Sequence, residues 1–199
     1  MRLVGPLVVG LALFARPAFA ADKQIRPLIA LSFAGSTTYV DLEKGVGERH
    51  GIIGVQGAVL GNIVGIEVDV ARASGLFQTE PGLGESPLVL HSNVVTATGS
   101  VVIAAPRRLT EYTLRPYFVA GAGAMRVSVD HPFGVLPIRD TVGVYNLGGG
   151  VIGFLTTRVG VAWDVRRFST LKGAPPPTAV TTGGRLAFWR ASMALVIRY

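Results

Sequence analysis

The side chains in this sequence that could bind a metal or transfer a proton near neutral pH include three histidines, His50, His91 and His131. They lie near predicted junctions between loops and strands. Imidazole nitrogens bind zinc and transfer protons near neutral pH. No two of these histidines have the spacing of metal ligands on one helix or hairpin, and the chain has no cysteine that could complete a site. We therefore interpret the three histidines as polar residues at a solvent-exposed edge of the fold. We predict neither a bound metal nor a cofactor.

A nucleophilic serine beside a histidine would be a second route to catalysis. His91 and Ser92 are adjacent in the chain. Successive residues of a strand point to opposite faces, so this hydroxyl and this imidazole would not meet. The sequence thus predicts a protein that is not an enzyme, and an enzyme of the cell envelope is the last of the alternatives.

Charged residues occur at every second position of two apolar segments. Glu67 and Asp69 alternate with valine and isoleucine, and Asp164 and Arg166 alternate with valine and tryptophan. This period of two is typical of a strand with one apolar and one polar face. Because buried charges are costly unless they pair, we predict that the polar faces line a common interior as an ion-pair network. The residues assigned to this network are Glu67, Asp69, Arg126, Asp164, Arg166, Arg190 and Arg198.

Eight segments of period two, bounded by turn residues, follow one another along the chain. They are residues 27–35, 51–60, 62–73, 92–105, 115–128, 142–155, 158–168 and 187–199. The connections after the second, fourth and sixth segments are shorter than the other four. An even number of strands with short turns at one end and long loops at the other is typical of an outer-membrane barrel. We predict an all-β fold, an eight-stranded antiparallel up-and-down transmembrane β-barrel with both termini in the periplasm and four loops outside.

Within the last segment, the final eleven residues, Trp189–Tyr199, have an apolar side chain at every second position up to the final aromatic residue. Ten residues of strand rise roughly 33 Å, or about 25 Å at a tilt near 40°, which matches the apolar band of a membrane barrel between its aromatic girdles. In the fifth segment we expect Phe118 and three alanines to face inward, and Met125 and Val127 to face outward. The residues assigned to the girdle and the lipid-facing insertion signal are Tyr117, Trp189, Met193, Leu195, Ile197 and Tyr199.

The amino terminus has the three parts of a secretory signal peptide. Met1-Arg2 gives a positive start, an apolar run follows from Leu3 to Ala15, and Ala18-Phe19-Ala20 is a cleavage pattern of small residues. We predict that residues 1–20 are a cleaved signal peptide and that residues 21–199 form one outer-membrane barrel domain.

The composition is that of an apolar chain without a spanning helix. The mean hydropathy is +0.47, and 26 residues are glycine. No segment after the signal peptide supplies the roughly 20 consecutive apolar residues that a membrane helix needs. The net charge of +7 is spread along the chain rather than clustered. Scattered basic residues on an exported protein argue against a nucleic-acid partner.

Three stretches of this sequence resemble the small OmpA-like family of outer-membrane β-barrels, over residues 27–199. The terminal MALVIRY is similar to the family's carboxy-terminal insertion signal. LRPYFVAGAGAMRV (114–127) is similar to its Pro-Tyr strand, and YNLGGGVIGFLTTRVGVAWDVRRF (145–168) to its glycine-rich hairpin. The resemblance implies that the barrel-assembly machinery recognises the terminal aromatic strand, so that Tyr199 would act in sorting and insertion.

The expected function is that of a non-enzymatic outer-membrane protein, which contributes to envelope structure and, through four extracellular loops, to surface interaction. Its expected partners are outer-membrane lipid and lipopolysaccharide, whose phosphates basic rim residues such as Arg49, Arg72 and Arg185 could bind. We expect a monomer; the sequence does not identify an extracellular partner. Two alternatives stay open: a soluble periplasmic lipocalin-like barrel that binds an apolar ligand, with the valines inside, and a narrow passage for small hydrophobic molecules.

Overall fold

A computed structural model describes residues 21–37, 49–74, 91–106, 110, 114–130, 138–171 and 186–199. Within these residues the chain forms eight strands, each beginning and ending within five residues of a predicted segment. The strands are β1 (Asp22–Thr37), β2 (His50–Leu60), β3 (Val64–Ser74), β4 (His91–Ala104), β5 (Arg115–Asp130), β6 (Ile138–Phe154), β7 (Val159–Thr170) and β8 (Leu186–Arg198). The proposed signal peptide and most of the four longer connections lie outside the described residues.

The eight strands form one closed antiparallel barrel, as predicted. Each strand pairs with its neighbour in sequence, and β8 closes the barrel against β1. Paired residues followed once around the barrel from Trp189 lead back to β8 at Tyr199, ten residues further along that strand. Eight strands enclose an interior just wide enough to be filled by side chains.

The two faces of the strands divide polar from apolar residues. Along β3 every second residue from Gly65 to Ala73 is buried, including Glu67 and Asp69. The intervening Ile66 and Val68 are 63% and 59% exposed. A soluble barrel has the opposite arrangement, because water outside favours apolar side chains inside. The outer wall of this barrel is therefore suited to lipid.

Glycines of β5 and β6 allow these strands to approach their neighbours closely. A Cβ atom at Gly123 would collide with the backbone of Ala97 and Thr98, and one at Gly150 with the backbone of Trp163. By contrast, a Cβ atom at the outward-facing Gly57 would meet no atom within 4 Å. The first two glycines are thus required by strand contact, whereas Gly57 is not.

The facing of β5 is opposite to the one predicted. Tyr117 and Met125 are buried, with 5% and 0% exposure, whereas Phe118 is 49% exposed. Arg126 shares the exposed face with Phe118. The assignments of Arg126 to the lumen and of Tyr117 to the girdle are therefore wrong. Because side chains alternate with a period of two, one misplaced residue inverts the whole strand.

Local hydrogen bonds hold the short connections at the end of the barrel where β1 begins and β8 ends. The Gly61 amide donates to the Val64 carbonyl at 2.9 Å. Thr156 Oγ1 accepts the amides of Arg158 and Val159 at 3.3 and 2.9 Å. Such bonds replace the ladder bonds that end with each strand.

The opposite end of β1 contains a bulge. The pairing of β1 with β8 shifts between Phe33 and Ser36, where Ala34 has a φ of 47°. An extra residue of this kind increases the local twist of the sheet.

Among the described residues, no helix is long and apolar enough to cross a membrane.

Candidate functional site

The centre of the lumen is organised around Glu67 of β3. The Arg26 guanidinium of β1 donates to Glu67 Oε2 at 3.1 Å, and the Arg166 guanidinium of β7 donates to Glu67 Oε1. All three side chains are fully buried. Gln24 Oε1 accepts the remaining Arg26 Nε and Nη2 donors at 2.8 and 2.6 Å. One carboxylate of β3 thus bridges two arginines from β1 and β7, strands that are separated by β8.

Asp164 is a second junction of this network. Its Oδ2 accepts hydrogen bonds from Arg166 Nη2 at 2.8 Å and from the Tyr117 hydroxyl at 2.9 Å. Its Oδ1 accepts the Ser192 hydroxyl at 2.7 Å. The Tyr117 ring also lies beneath the Arg26 guanidinium, 5.8 Å from its centroid. Tyr117 is therefore a luminal residue that connects two of the arginines.

Asp69 forms a third junction, with Arg190 of β8. The two Arg190 terminal nitrogens donate to the two Asp69 oxygens at 3.0 and 2.7 Å, the bidentate geometry that gives the strongest arginine–carboxylate pairs. Gln56 Nε2 also donates to Asp69 Oδ2 at 2.9 Å. The guanidinium stacks over the Phe168 ring at 4.7 Å, and that ring in turn stacks on Phe188 at 5.4 Å. The charged layer of the lumen thus directly contacts an apolar layer formed by Phe168 and Phe188.

Two further arginines lie at the end of the barrel where β1 begins and β8 ends. Arg198 pairs with Asp22 at 2.7 Å and is 31% exposed. Arg115 donates to the carbonyls of Gly61 and Asn62, both at 3.0 Å, and to that of Ala105 at 2.9 Å. These contacts tie the start of β1 to the end of β8 and fix the turn between β2 and β3.

Buried charges of opposite sign balance in the described part of the lumen. The buried acids are Asp22, Glu67, Asp69 and Asp164, and the buried arginines are Arg26, Arg115, Arg166 and Arg190. Both oxygens of Glu67, Asp69 and Asp164 accept hydrogen bonds from protein groups. A cavity beside Phe168, Phe188 and Arg190 has a volume of only about 10 Å³, the space of one water molecule. This arrangement can cross-link strands and fill the interior.

Most of the charges assigned from the sequence meet in the lumen. Glu67, Asp69, Asp164, Arg166 and Arg190 are buried there, Arg198 lies half-buried at one end, and Arg126 lies outside. Sequence reasoning missed Arg26 and its neighbours Asp22 and Gln24. The sequence does contain a signal for them, because the polar residues Asp22, Gln24 and Arg26 stand at every second position. The predicted strand begins at residue 27 and therefore leaves this alternation out.

The terminal strand presents its apolar side chains outward. Met193, Leu195 and Ile197 are 45%, 47% and 42% exposed, and Tyr199 is 73% exposed. Trp189 lies half-buried on the same face, 5.6 Å beneath the Arg167 guanidinium. The aromatic residues at both ends of this strand therefore stand on the outer wall.

The histidines do not form a site in the described part of the chain. His50 is half-buried, and its carbonyl accepts the Ser32 hydroxyl at 3.4 Å. The side chain of His91 and the whole of His131 lie outside the described residues. Among the described residues, no group of three or more metal-binding side chains is close enough to hold an ion.

The fold was compared with known proteins at the level of sequence and of structure. No family model and no curated protein sequence matches this chain. Solved structures match along most of its length. Neisserial surface protein A, NspA, has a TM-score of 0.60 at 14% identity, with 89% of this chain and 97% of that chain covered.

Two proteins of Pseudomonas aeruginosa give similar matches. The outer membrane protein OprG has a TM-score of 0.59 at 14% identity, covering 90% of this chain and 96% of that one. The N-terminal β-barrel domain of OprF has a TM-score of 0.56 at 13% identity, covering 89% and 97%. At such low identities the likeness is one of architecture. The chain thus has the fold of the eight-stranded outer-membrane β-barrels.

Proposed function

We propose that this protein is a non-enzymatic barrel of the outer membrane that contributes to envelope structure and presents a surface for interaction outside the cell. The observation that carries the proposal is the reversed distribution of polarity: a neutralised ionic network inside and an apolar wall outside. Such a wall is stable only in lipid, where every backbone group is satisfied by the closed barrel.

The sidedness of the barrel follows from its connections. Both described chain ends and the turns at Gly61 and Thr156 lie at one end, as in outer-membrane barrels whose short turns face the periplasm. The four longer connections would then face the outside of the cell and supply the interaction surface. The name of NspA, a surface protein with a similar fold, is consistent with that role.

The alternative of a soluble lipocalin-like barrel requires the valines to line a cavity. The valines of β3 face outward instead, and the interior contains fully buried ions. A passage for small hydrophobic molecules would need continuous space through the layer formed by Glu67, Asp164 and Asp69, whose oxygens are all engaged. Neither alternative has a specific observation in its favour.

Export and insertion complete the proposal. Residues 1–20 would direct secretion and be removed, and the outward-facing strand ending in Tyr199 would be recognised by the barrel-assembly machinery. Outer-membrane lipid and lipopolysaccharide would surround the monomeric barrel.

Cell fractionation combined with gel mobility tests this proposal. We expect the protein in the outer-membrane fraction, with the amino terminus of the purified protein at Ala21. Its electrophoretic mobility in SDS should change on boiling, because a folded barrel resists cold detergent. Recovery from the soluble periplasm, with no change on boiling, would contradict the proposal and favour the soluble barrel.

A further inference from the structure

Outward-facing arginines stand at the same relative position on three strands that run away from the chain termini. The outer face of β3 carries Arg72 near its far end, that of β5 carries Arg126 and that of β7 carries Arg167. On each strand the arginine follows four outward residues that are apolar: Val64, Ile66, Val68 and Val70 on β3, Phe118, Ala120, Ala122 and Ala124 on β5, and Val159, Val161, Trp163 and Val165 on β7. Eight residues of tilted strand rise about 20 Å, so these guanidinium groups stand near the far edge of an apolar band about 25 Å tall.

Among the side chains that the structure describes, the charges on the outer wall are all positive. All four acidic residues whose side chains the structure describes are buried in the lumen. Arg72 donates to the Asn93 amide oxygen at 2.9 Å through Nε, which leaves its terminal nitrogens for other acceptors. Arg126 is flanked in the sheet by Val95 and Thr141, neither of which is acidic. An anionic acceptor from the surrounding leaflet would complement this part of the wall.

Arg72 and Arg126 flank a shallow trough in the apolar wall. Val95 lies between them in the register, so their Cα atoms are two strand spacings apart, roughly 10 Å. Below them, one row of paired residues reads Val68, Gly99, Ala122 and Tyr145, a sequence of large, small, small and large side chains. Ala97, Ala120 and Ala124 extend the small-residue floor along the two central strands.

Packing within the protein does not require a glycine at position 99 of this floor. A Cβ atom at Gly99 would meet no atom within 4 Å, so a larger side chain fits the barrel there. Glycine also weakens a strand, and in a strand interior it often marks the close approach of a ligand. A trough about two strands wide suits one or two acyl chains lying along the wall.

We propose that Arg72 and Arg126, together with the trough over Gly99 and Ala122, bind one bisphosphorylated lipid A moiety of lipopolysaccharide in the outer leaflet. The guanidinium groups would hold its phosphates by charge-assisted hydrogen bonds, and the trough would seat an acyl chain. This inference rests on the proposed outer-membrane function and names a specific lipid site on that barrel.

Native mass spectrometry of the purified full barrel in detergent, titrated with bisphosphorylated lipid A, tests the inference. The double variant R72Q/R126Q should bind lipid A about tenfold more weakly, because two charge-assisted contacts are lost. The variant G99L/A122L should also weaken lipid A binding by filling the trough. The matched control K23Q/R158Q, which removes two outward charges at the other end of the barrel, should bind like the wild type.

Three results would overturn the inference. The first is R72Q/R126Q binding within twofold of the wild type. The second is equal binding of phosphatidylglycerol, or displacement of lipid A by inorganic phosphate, which would mean a general anion site. The third is a dimer of the wild type that G99L/A122L converts to a monomer, which would assign the trough to a second copy of the chain. Each variant is first checked for its heat-dependent mobility, so a folded outer-membrane barrel that fails to bind lipid A overturns this inference and leaves the proposed function standing.

Discussion

At the scale of single residues, the stability of this barrel depends on charges that cannot be removed one at a time. Glu67 holds Arg26 and Arg166 together inside a lumen from which bulk water is excluded. A buried ion pair is only weakly stabilising compared with apolar residues of equal volume, but a single buried charge without a partner is strongly destabilising. The network therefore acts as a set of matched cross-links between strands.

Replacing Glu67 by leucine should destabilise the barrel by about 3–5 kcal/mol, because Arg26 and Arg166 lose the carboxylate that they share. Urea unfolding in lipid vesicles measures this. The substitution I66L, on the lipid-facing side of the same strand, serves as the control and should leave the unfolding midpoint nearly unchanged. Unfolding of E67L at the wild-type urea concentration would show that Glu67 is not part of a stabilising network.

The pair Asp69–Arg190 permits a test of coupling. R190M alone should be strongly destabilising because Asp69 stays buried without its bidentate partner, and D69L alone should be destabilising for the converse reason. The double variant D69L/R190M should lose less stability than the sum of the two, with a coupling free energy on the order of 1–3 kcal/mol. Strict additivity in the double-mutant cycle would contradict direct pairing.

At the scale of strands, the sequence predicts number, order and approximate bounds, since period two and turn residues are local signals. It also assigns the faces of β3 and β7, where Glu67 and Asp164 identify the inner side. β5 is different because both of its faces are largely apolar and each carries an arginine, Arg115 on the inner face and Arg126 on the outer. An arginine near the end of a strand can place its guanidinium at the level of the lipid headgroups, so its charge does not identify the lumen.

The predicted start of β1, residue 27, is five residues later than the observed start at Asp22. Asp22, Gln24 and Arg26 lie on the inner face of the first residues of β1. Because these residues follow directly on the predicted signal peptide, the first predicted strand does not include them. Which of these side chains meet Glu67 depends on the stagger of strands around the whole barrel, and no local pattern contains that information.

The glycines of β5 supply a prediction at this scale. G123A should destabilise the barrel by about 1–3 kcal/mol, because its Cβ would collide with the backbone of β4 at Ala97 and Thr98. The matched substitution G57A, at an outward position with open space, should be neutral or stabilising by up to about 1 kcal/mol. Urea unfolding in vesicles distinguishes them, and equal effects of the two substitutions would refute the proposed role of close strand contact.

At the scale of the whole molecule, the chain is a barrel whose polarity is reversed relative to a soluble protein. Its interior is charged but balanced, and its wall is apolar with cations at the two ends. The fold shared with NspA, OprG and the OprF barrel domain gives this arrangement a membrane setting. The longer connections, which lie mostly outside the described residues, would then carry any contact with other molecules.

A charge in the middle of the apolar wall should interfere with insertion. V68R places a guanidinium among Ile66, Val70 and Val101, and should cost about 2–4 kcal/mol if that position lies near the bilayer midplane. The conservative V68I should insert normally. Folding yield into preformed vesicles measures both, and wild-type yield for V68R would place Val68 away from lipid.

The facing of the strands in a bilayer is the central claim, and the absence of cysteine from the chain makes it directly measurable. A nitroxide label is attached to V68C, at an outward position, and to T98C, at an inward position of the adjacent strand. Power-saturation electron paramagnetic resonance is then recorded in vesicles with oxygen and with a water-soluble nickel complex. We predict that the label at position 68 is relaxed strongly by oxygen and weakly by nickel, and that the label at position 98 is sheltered from oxygen by the protein around it. A label at position 68 that responds to nickel and not to oxygen would contradict the account, because the valine wall would then face water or the interior.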